Sequence, residues 1–327
     1  MSETVEEVIE DDIVSLRPVT FDNYIGQEKM KRRLSISIDA SRKKGSPLDH
    51  LLFYGPPGLG KTTIANIIAN EMGVSIKSQS APSIEKVRDL VTLLVTLQEN
   101  DILFIDEIHR MNTYIEETLY SAMEDFFIEI IAELENEKKP IRINLPKFTL
   151  IGATTKPGSI SSPLRDRFGM QEKLEFYTIN ELSIIVHQYA EKLDFDISNI
   201  ACDEIAKRAR GTPRIAIKNL KRLHDYYLSV GFDLESKKEI TDAIIFMTGV
   251  TEEGFYEKDI EYLTLLAKNG PMGIKNISSM LSEDPSNIED FIEPHLLQAG
   301  LIMKSSRGRH LTDDGILLCK EKKIIID

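Results

Sequence analysis

The chain has 327 residues, 42% hydrophobic and 28% charged, which is enough apolar material for a real core and too much for a wholly disordered chain. Its 40 basic and 53 acidic residues give a formal charge of −13, so no global electrostatic grip on DNA is available and any such contact must come from a local basic patch or a partner. Two distant cysteines, Cys202 and Cys319, exclude a disulfide framework and a four-cysteine zinc site; no run nears the roughly 18 apolar residues of a membrane span, and the acidic start Met1–Asp12 lacks a secretory basic region, which points to the cytoplasm.

In chain order, Asp49–Tyr54 is a short apolar run ending at Gly55, the signature of a buried strand. Thr62–Met72 has Ile64, Ile67 and Ile68 spaced for one buried helix face. Asp101–Ile105 and Phe148–Gly152 are two further buried strands. Strands of this kind separated by helices predict a parallel α/β sheet. Between Phe127 and Leu145, alternating residues on two arms fit a hairpin, whose exposed apolar residues would suit a partner surface or a simple surface element. After Tyr177 the pattern is helical: Asn180–Leu193, then a helix opened by Thr212 as cap and Pro213 in the first turn, then a short one from Thr241. From about Glu252, helices at Asp259–Lys268, Ile274–Leu281 and Ser286–Ala299 precede two strands, Leu301–Lys304 and His310–Thr312, the outline of a winged helix. The predicted division is 1–178, 179–252 and 253–327.

Gly55-Pro-Pro-Gly-Leu-Gly-Lys-Thr62 fits the phosphate loop G-x-x-x-x-G-K-[ST], with a strand before it and a helix after. Its glycines, Gly58 and Gly60 among them, let backbone N–H groups turn toward phosphate oxygens, Lys61 supplies a charge to the β- and γ-phosphates, and Thr62 offers a hydroxyl to Mg²⁺. Asp106-Glu107 ends a buried strand, where ligands of parallel sheets bind; Asp106 is a candidate for Mg²⁺ and Glu107 for polarising the attacking water. Thr155, after the next strand, could sense the γ-phosphate. Ser162-Pro-Leu-Arg-Asp-Arg-Phe168 holds two arginines, read either as a charge-stabilising arginine given to a neighbouring subunit or as a surface network. Arg214 stands in a helix's first turn, mildly unfavourable for the dipole, which suggests an anionic partner. Lys304, Arg307 and Arg309 flank the tight turn of the wing and could reach DNA phosphates, or form a solvated basic turn.

Taken together, the motifs resemble AAA+ ATPases, and in detail the RuvB family of bacterial Holliday-junction branch-migration motors. The strings that carry this are Asp49–Thr63, Leu103–Arg110, Phe148–Thr155, Ser162–Gly169 and Arg208–Arg214, within a similarity running from about Leu16 to Thr312. The resemblance implies an AAA+ ATPase domain, a helical lid and a winged helix. It implies hexameric rings on duplex DNA, ATP and Mg²⁺ as ligands, and work in recombination and repair with RuvA, docked on the hairpin, and with RuvC. It further implies a nucleotide site bordered by Leu16, Arg17, Gly58, Lys61, Thr62, Thr63, Glu124, Asp125, Phe126 and Tyr177, with Arg167 as the trans arginine, Thr155 as first sensor and Arg214 as second. Lys304 replaces a family arginine, and Lys156-Pro157 departs from the usual Arg-Ala. An initiator or clamp-loader ATPase and an ATP-regulated scaffold remain as alternatives.

Overall fold

The computed structural model describes residues 17–134 and 137–322. Leu16, the acidic start of the chain and Lys323 lie outside the described residues. The chain divides into two compact units, Met1–Phe176 and Tyr177–Asp327.

The first unit is built on a five-stranded sheet in the order β2-β3-β6-β1-β7, all parallel. The strands are β1 (Leu51–Tyr54), β2 (Ile76–Ser80), β3 (Ile102–Asp106), β6 (Thr149–Thr154) and β7 (Met170–Lys173). The three central strands β3, β6 and β1 are buried almost throughout, as their apolar runs require; β2 at one edge alternates between half-buried and exposed. Helix Lys61–Met72 leaves β1 and buries Ile64, Ile67 and Ile68. The sequence places β1, β3, β6 and this helix to within two residues, whereas the edge strands β2 and β7 are not among its expectations.

Strands β4 (Phe127–Leu134) and β5 (Glu137–Asn144) form the expected antiparallel hairpin, paired Phe127 to Asn144 and Ile128 to Ile143 at its base. Ile128 is fully buried against the core, whereas Ile141 is exposed. No helix among the described residues is long and apolar enough to cross a membrane.

The second unit starts with four helices, Ile179–Lys192, Asn199–Lys207, Pro213–Val230 and Lys237–Thr248. The first is closed by a capping box, in which Thr178 accepts from the Glu181 amide at 3.2 Å and Glu181 accepts from the Thr178 amide at 2.7 Å. Two expectations need correction. Thr212 holds the cap position, but its hydroxyl donates to the Ala209 carbonyl at 3.1 Å and does not cap. The fourth helix starts at Lys237, capped by Ser236, not at Thr241, which is buried inside it.

Helices Glu257–Asn269 and Ile274–Leu281 then pack with strands β8 (Ile302–Ser305) and β9 (Gly308–Leu311) around Tyr262, Leu263, Leu266, Ile277 and Leu296. The stretch expected as one helix from Ser286 is broken into a turn at Pro285–Asn287, a π-helical turn at Ile288–Ile292 and helix Glu293–Gln298. Pro294 has no N–H to continue a regular ladder, and the π turn accommodates it. A closing helix, Asp313–Glu321, capped by Thr312, follows the wing and was not foreseen.

The lid helices and the winged helix are joined inside this unit by Arg210. It is buried, ion-paired to the buried Asp259, stacked over the Tyr256 ring at 4.2 Å, and donates to the Gly254 carbonyl at 3.3 Å. Asp259 also accepts from the Tyr256 amide at 2.7 Å, so one carboxylate caps its own helix and anchors the preceding domain.

Candidate functional site

The phosphate loop leaves the C-terminal end of β1 with positive φ at Gly55, Gly58 and Gly60 (142°, 78° and 96°), the region that favours glycine. A Cβ on Gly55 would stand 2.7 Å from the Leu174 carbonyl oxygen, and one on Gly60 would meet the Tyr24 hydroxyl at 3.1 Å. Both glycines are therefore required by close approach as well as by backbone angle. Tyr24 is buried beside the loop and donates to the Leu59 carbonyl at 3.4 Å; nothing in the sequence signals this support.

Lys61 begins the following helix. Its side chain is almost fully buried and folds back to donate to the carbonyls of Gly55 and Pro56, both at 2.9 Å. Burial lowers its pKa to about 8, against the opposing pull of Asp106 and Glu107. Those two carboxylates are thus close enough to act on it, as the parallel register predicts for the ends of β1 and β3. Thr62 and Thr63 are half-buried in the same first turn, and Arg17 is half-buried where the described chain begins.

Asp106 ends β3 and accepts from the Glu107 amide at 2.8 Å. Glu107 adopts a left-handed backbone (φ 48°), uncommon for a residue with a side chain, as the chain turns into Ile108–Arg110. Its carboxylate accepts from Arg110 at 2.9 Å. His109 and the fully buried Thr154 share a 2.9 Å hydrogen bond, and Thr154 also accepts from the Lys156 amide at 3.0 Å. The Thr154 hydroxyl is thereby turned to structural use, and Thr155, half-buried one residue past the strand, stands at the sheet edge with the phosphate loop. Gly152 keeps this edge tight: a Cβ there would approach Phe168 at 3.0 Å and Ile108 at 3.1 Å.

Of the two arginines after β6, Arg165 is a brace, donating to the Pro157 and Ile160 carbonyls at 2.6 and 3.3 Å. Arg167 lies on helix Thr113–Glu124: its guanidinium sits 4.3 Å over the Tyr120 ring, pairs with Glu124 at 3.2 Å and donates to the Pro163 carbonyl at 2.7 Å. Asp125 is exposed, and Phe126 packs edge-on against Phe148 at 5.9 Å. Glu124 therefore meets Arg167 within the same chain, while Phe126 faces the core.

In the second unit, Tyr177 is buried and its amide donates to the Gly211 carbonyl at 2.9 Å; Arg214 is exposed in the first turn of helix Pro213–Val230. In the wing, the three basic candidates differ. Arg309 is turned inward, donating to Glu289 at 2.6 Å and to the fully buried Glu293 at 2.8 Å. Lys304 pairs with Glu293 at 2.5 Å and remains half-exposed. Arg307, at the tip, is exposed and has no side-chain ion pair among the described residues.

Three family models match the chain in succession: the Holliday junction DNA helicase RuvB P-loop domain over residues 16–174, the RuvB AAA lid domain over 177–250 and the RuvB C-terminal winged helix domain over 252–320. The Holliday junction branch migration complex subunit RuvB of Campylobacter hominis is 52% identical over 309 residues, covering 94% of this chain and 90% of its own. Its counterpart in Helicobacter acinonychis is 52% identical over 304 residues, covering 91% and 89%. The solved Thermotoga maritima RuvB Holliday junction branch migration motor superimposes with a TM-score of 0.85 at 39% identity, covering 95% of this chain and 99% of that one. A phosphate loop and a strand-end acid pair on one sheet edge are common to many nucleotide hydrolases. Three domain matches in this order, with relatives of this identity along nearly the full length, are not, and this chain belongs to the RuvB family.

Proposed function

We propose that the protein is the ATP-driven motor subunit of Holliday-junction branch migration, working as a hexameric ring on duplex DNA in the cytoplasm. The observation that carries this is the convergence of Lys61, Asp106, Glu107 and Thr155 on one sheet edge, in a chain whose relatives bear that name.

Nucleotide phosphates replace the Gly55 and Pro56 carbonyls as acceptors for Lys61, and the loop amides cradle them. Thr62 and Asp106 are an oxygen donor pair suited to Mg²⁺, which when bound offsets phosphate charge. Glu107 takes a proton from the attacking water; the new bond forms to the γ-phosphorus as the bridging bond to ADP breaks. Arg167 serves the nucleotide of the neighbouring protomer, where its charge offsets that of the transition state. Arg214 and Tyr177 link nucleotide state to the lid. Arg307, with Lys304, contacts DNA phosphates, and the 127–145 hairpin docks RuvA; RuvC is a further partner of the same assembly.

The test is a synthetic four-way junction with Mg²⁺ and ATP, with and without RuvA, scored for release of duplex arms. ATP-dependent release that rises with RuvA and disappears in Glu107→Gln supports the motor. ATP turnover with no release, even with RuvA, rejects it in favour of an initiator-like loader.

A further inference from the structure

One face of helix Thr113–Glu124 carries Glu116, Tyr120 and Glu124, spaced four residues apart and therefore stacked along the axis. All three act on the segment that bears Arg167. Glu116 is buried and accepts from the hydroxyls of Tyr120, at 2.7 Å, and of Ser161. Ser161 also lies 3.1 Å from the Tyr120 hydroxyl and caps helix Ser162–Asp166, the turn that delivers Arg167. The Tyr120 ring, fixed at its hydroxyl end, then lies beneath the guanidinium. Glu124 completes the stripe at the guanidinium edge.

A ring under a guanidinium differs from an ion pair in what it leaves free. Stacking uses the face of the cation, while its N–H donors lie in its plane and stay available to an anion. The carboxylate of Glu124 competes for those donors and is itself mostly exposed, so an arriving phosphate can displace it. The ring restrains without competing. Arginine has several rotatable bonds, and orienting it in advance removes an ordering cost from the moment of reaction.

We propose that Tyr120, held by Glu116, is a positioning residue that presents Arg167 to the nucleotide of the adjacent protomer. The inference rests on the reading of Arg167 as a residue that acts across the subunit interface. It assigns Tyr120 no contact with its own protomer's nucleotide.

The test uses full-length protein and DNA-stimulated phosphate release at saturating ATP. Tyr120→Leu keeps apolar volume but removes the ring, and kcat falls about tenfold with KM for ATP unchanged. Tyr120→Phe keeps the ring and stays within about twofold of the parent. Tyr120→Leu protomers are then mixed with Glu107→Gln protomers, which lack the base but carry an intact Arg167. At interfaces where a Glu107→Gln protomer faces a Tyr120→Leu phosphate loop, both requirements are met; random equimolar mixing makes about a quarter of the sites of this kind, so the mixture turns over about two- to threefold faster than Tyr120→Leu alone and far faster than Glu107→Gln alone. Arg167→Ala mixed with Glu107→Gln is the reference and behaves the same way. Parent-like turnover in Tyr120→Leu overturns the proposal, and so does failure of its rescue where Arg167→Ala is rescued. If neither variant is rescued, Arg167 does not act across the interface, and that reading and this inference fall together.

Discussion

The guanidinium of Arg110 donates to the carboxylate of Glu107 at 2.9 Å, in the turn that follows β3, so the proposed base is held by a cation three residues along its own chain. Both side chains are well exposed, at 58% and 40%, and a pair this wet is worth about 1 kcal/mol or less. Arg110→Ala should therefore raise basal ATP turnover about two- to fivefold, because the carboxylate no longer has to leave a partner to accept a proton. Phosphate release without DNA checks this; a fall in turnover would show that Arg110 aligns Glu107 instead.

Lys61 links nucleotide binding to pH. Burial lowers its pKa to about 8 in the free protein, and an anionic ligand raises it again, so binding takes up a proton above that pH. ATP affinity should fall as pH rises past 8, by up to about tenfold per unit. Titration of a fluorescent nucleotide between pH 7 and 9.5 reads the slope, which should flatten in Lys61→Met.

Arg208 is fully buried, and its Nε and Nη2 have no hydrogen-bond partner among the described residues, so Glu204, which accepts from Nη1 at 2.7 Å, is its counter-charge. Burial alone would raise the Glu204 pKa; hydrogen bonds from Lys207 and Arg208 override it and hold the carboxyl at about 2. A depressed carboxyl stabilises the fold above its ordinary value near 4.5, and that contribution is lost as pH falls toward 2. Glu204→Gln should cost about 3 kcal/mol near neutral pH and weaken the acid dependence of thermal unfolding.

Two arginines of the wing should separate stability from DNA affinity. Arg309→Ala leaves the buried Glu293 with Lys304 and the Tyr262 hydroxyl, and should lower wing stability by about 2 kcal/mol. Arg307→Ala should leave unfolding unchanged and reduce the slope of log affinity against log salt by about 1. Duplex binding at several salt concentrations, beside thermal melts, distinguishes them; equal effects of both variants on the slope would reject the inward role of Arg309.

The parts of the fold and site legible in the sequence are those whose signal is local. The runs at Leu51, Ile102 and Thr149 announce buried strands, and the phosphate loop carries its glycines, lysine and threonine within eight residues. Charge pairing between distant elements was not legible: Glu289 and Glu293 precede Arg309 by 20 and 16 residues, and no periodicity joins them. Tyr120 was hidden for the same reason, since its partners Ser161 and Arg167 lie across the intervening hairpin and β6. The start of helix Lys237–Thr248 is a different case. Ser236 followed by Glu239 is a readable cap pattern, and Thr241 five residues later is merely a buried threonine.

The double use of Asp259 sets where this chain can be cut and rejoined. A chimaera spliced between the lid and the winged helix, near residue 251, pairs Arg210 with a foreign surface and leaves a buried cation on one side of the seam and a buried carboxylate on the other. Replacing the whole of Tyr177–Asp327 keeps that pair together. The lid and the winged helix are thus a single heritable module: a substitution at either charge constrains the other, although 49 positions separate them in the chain.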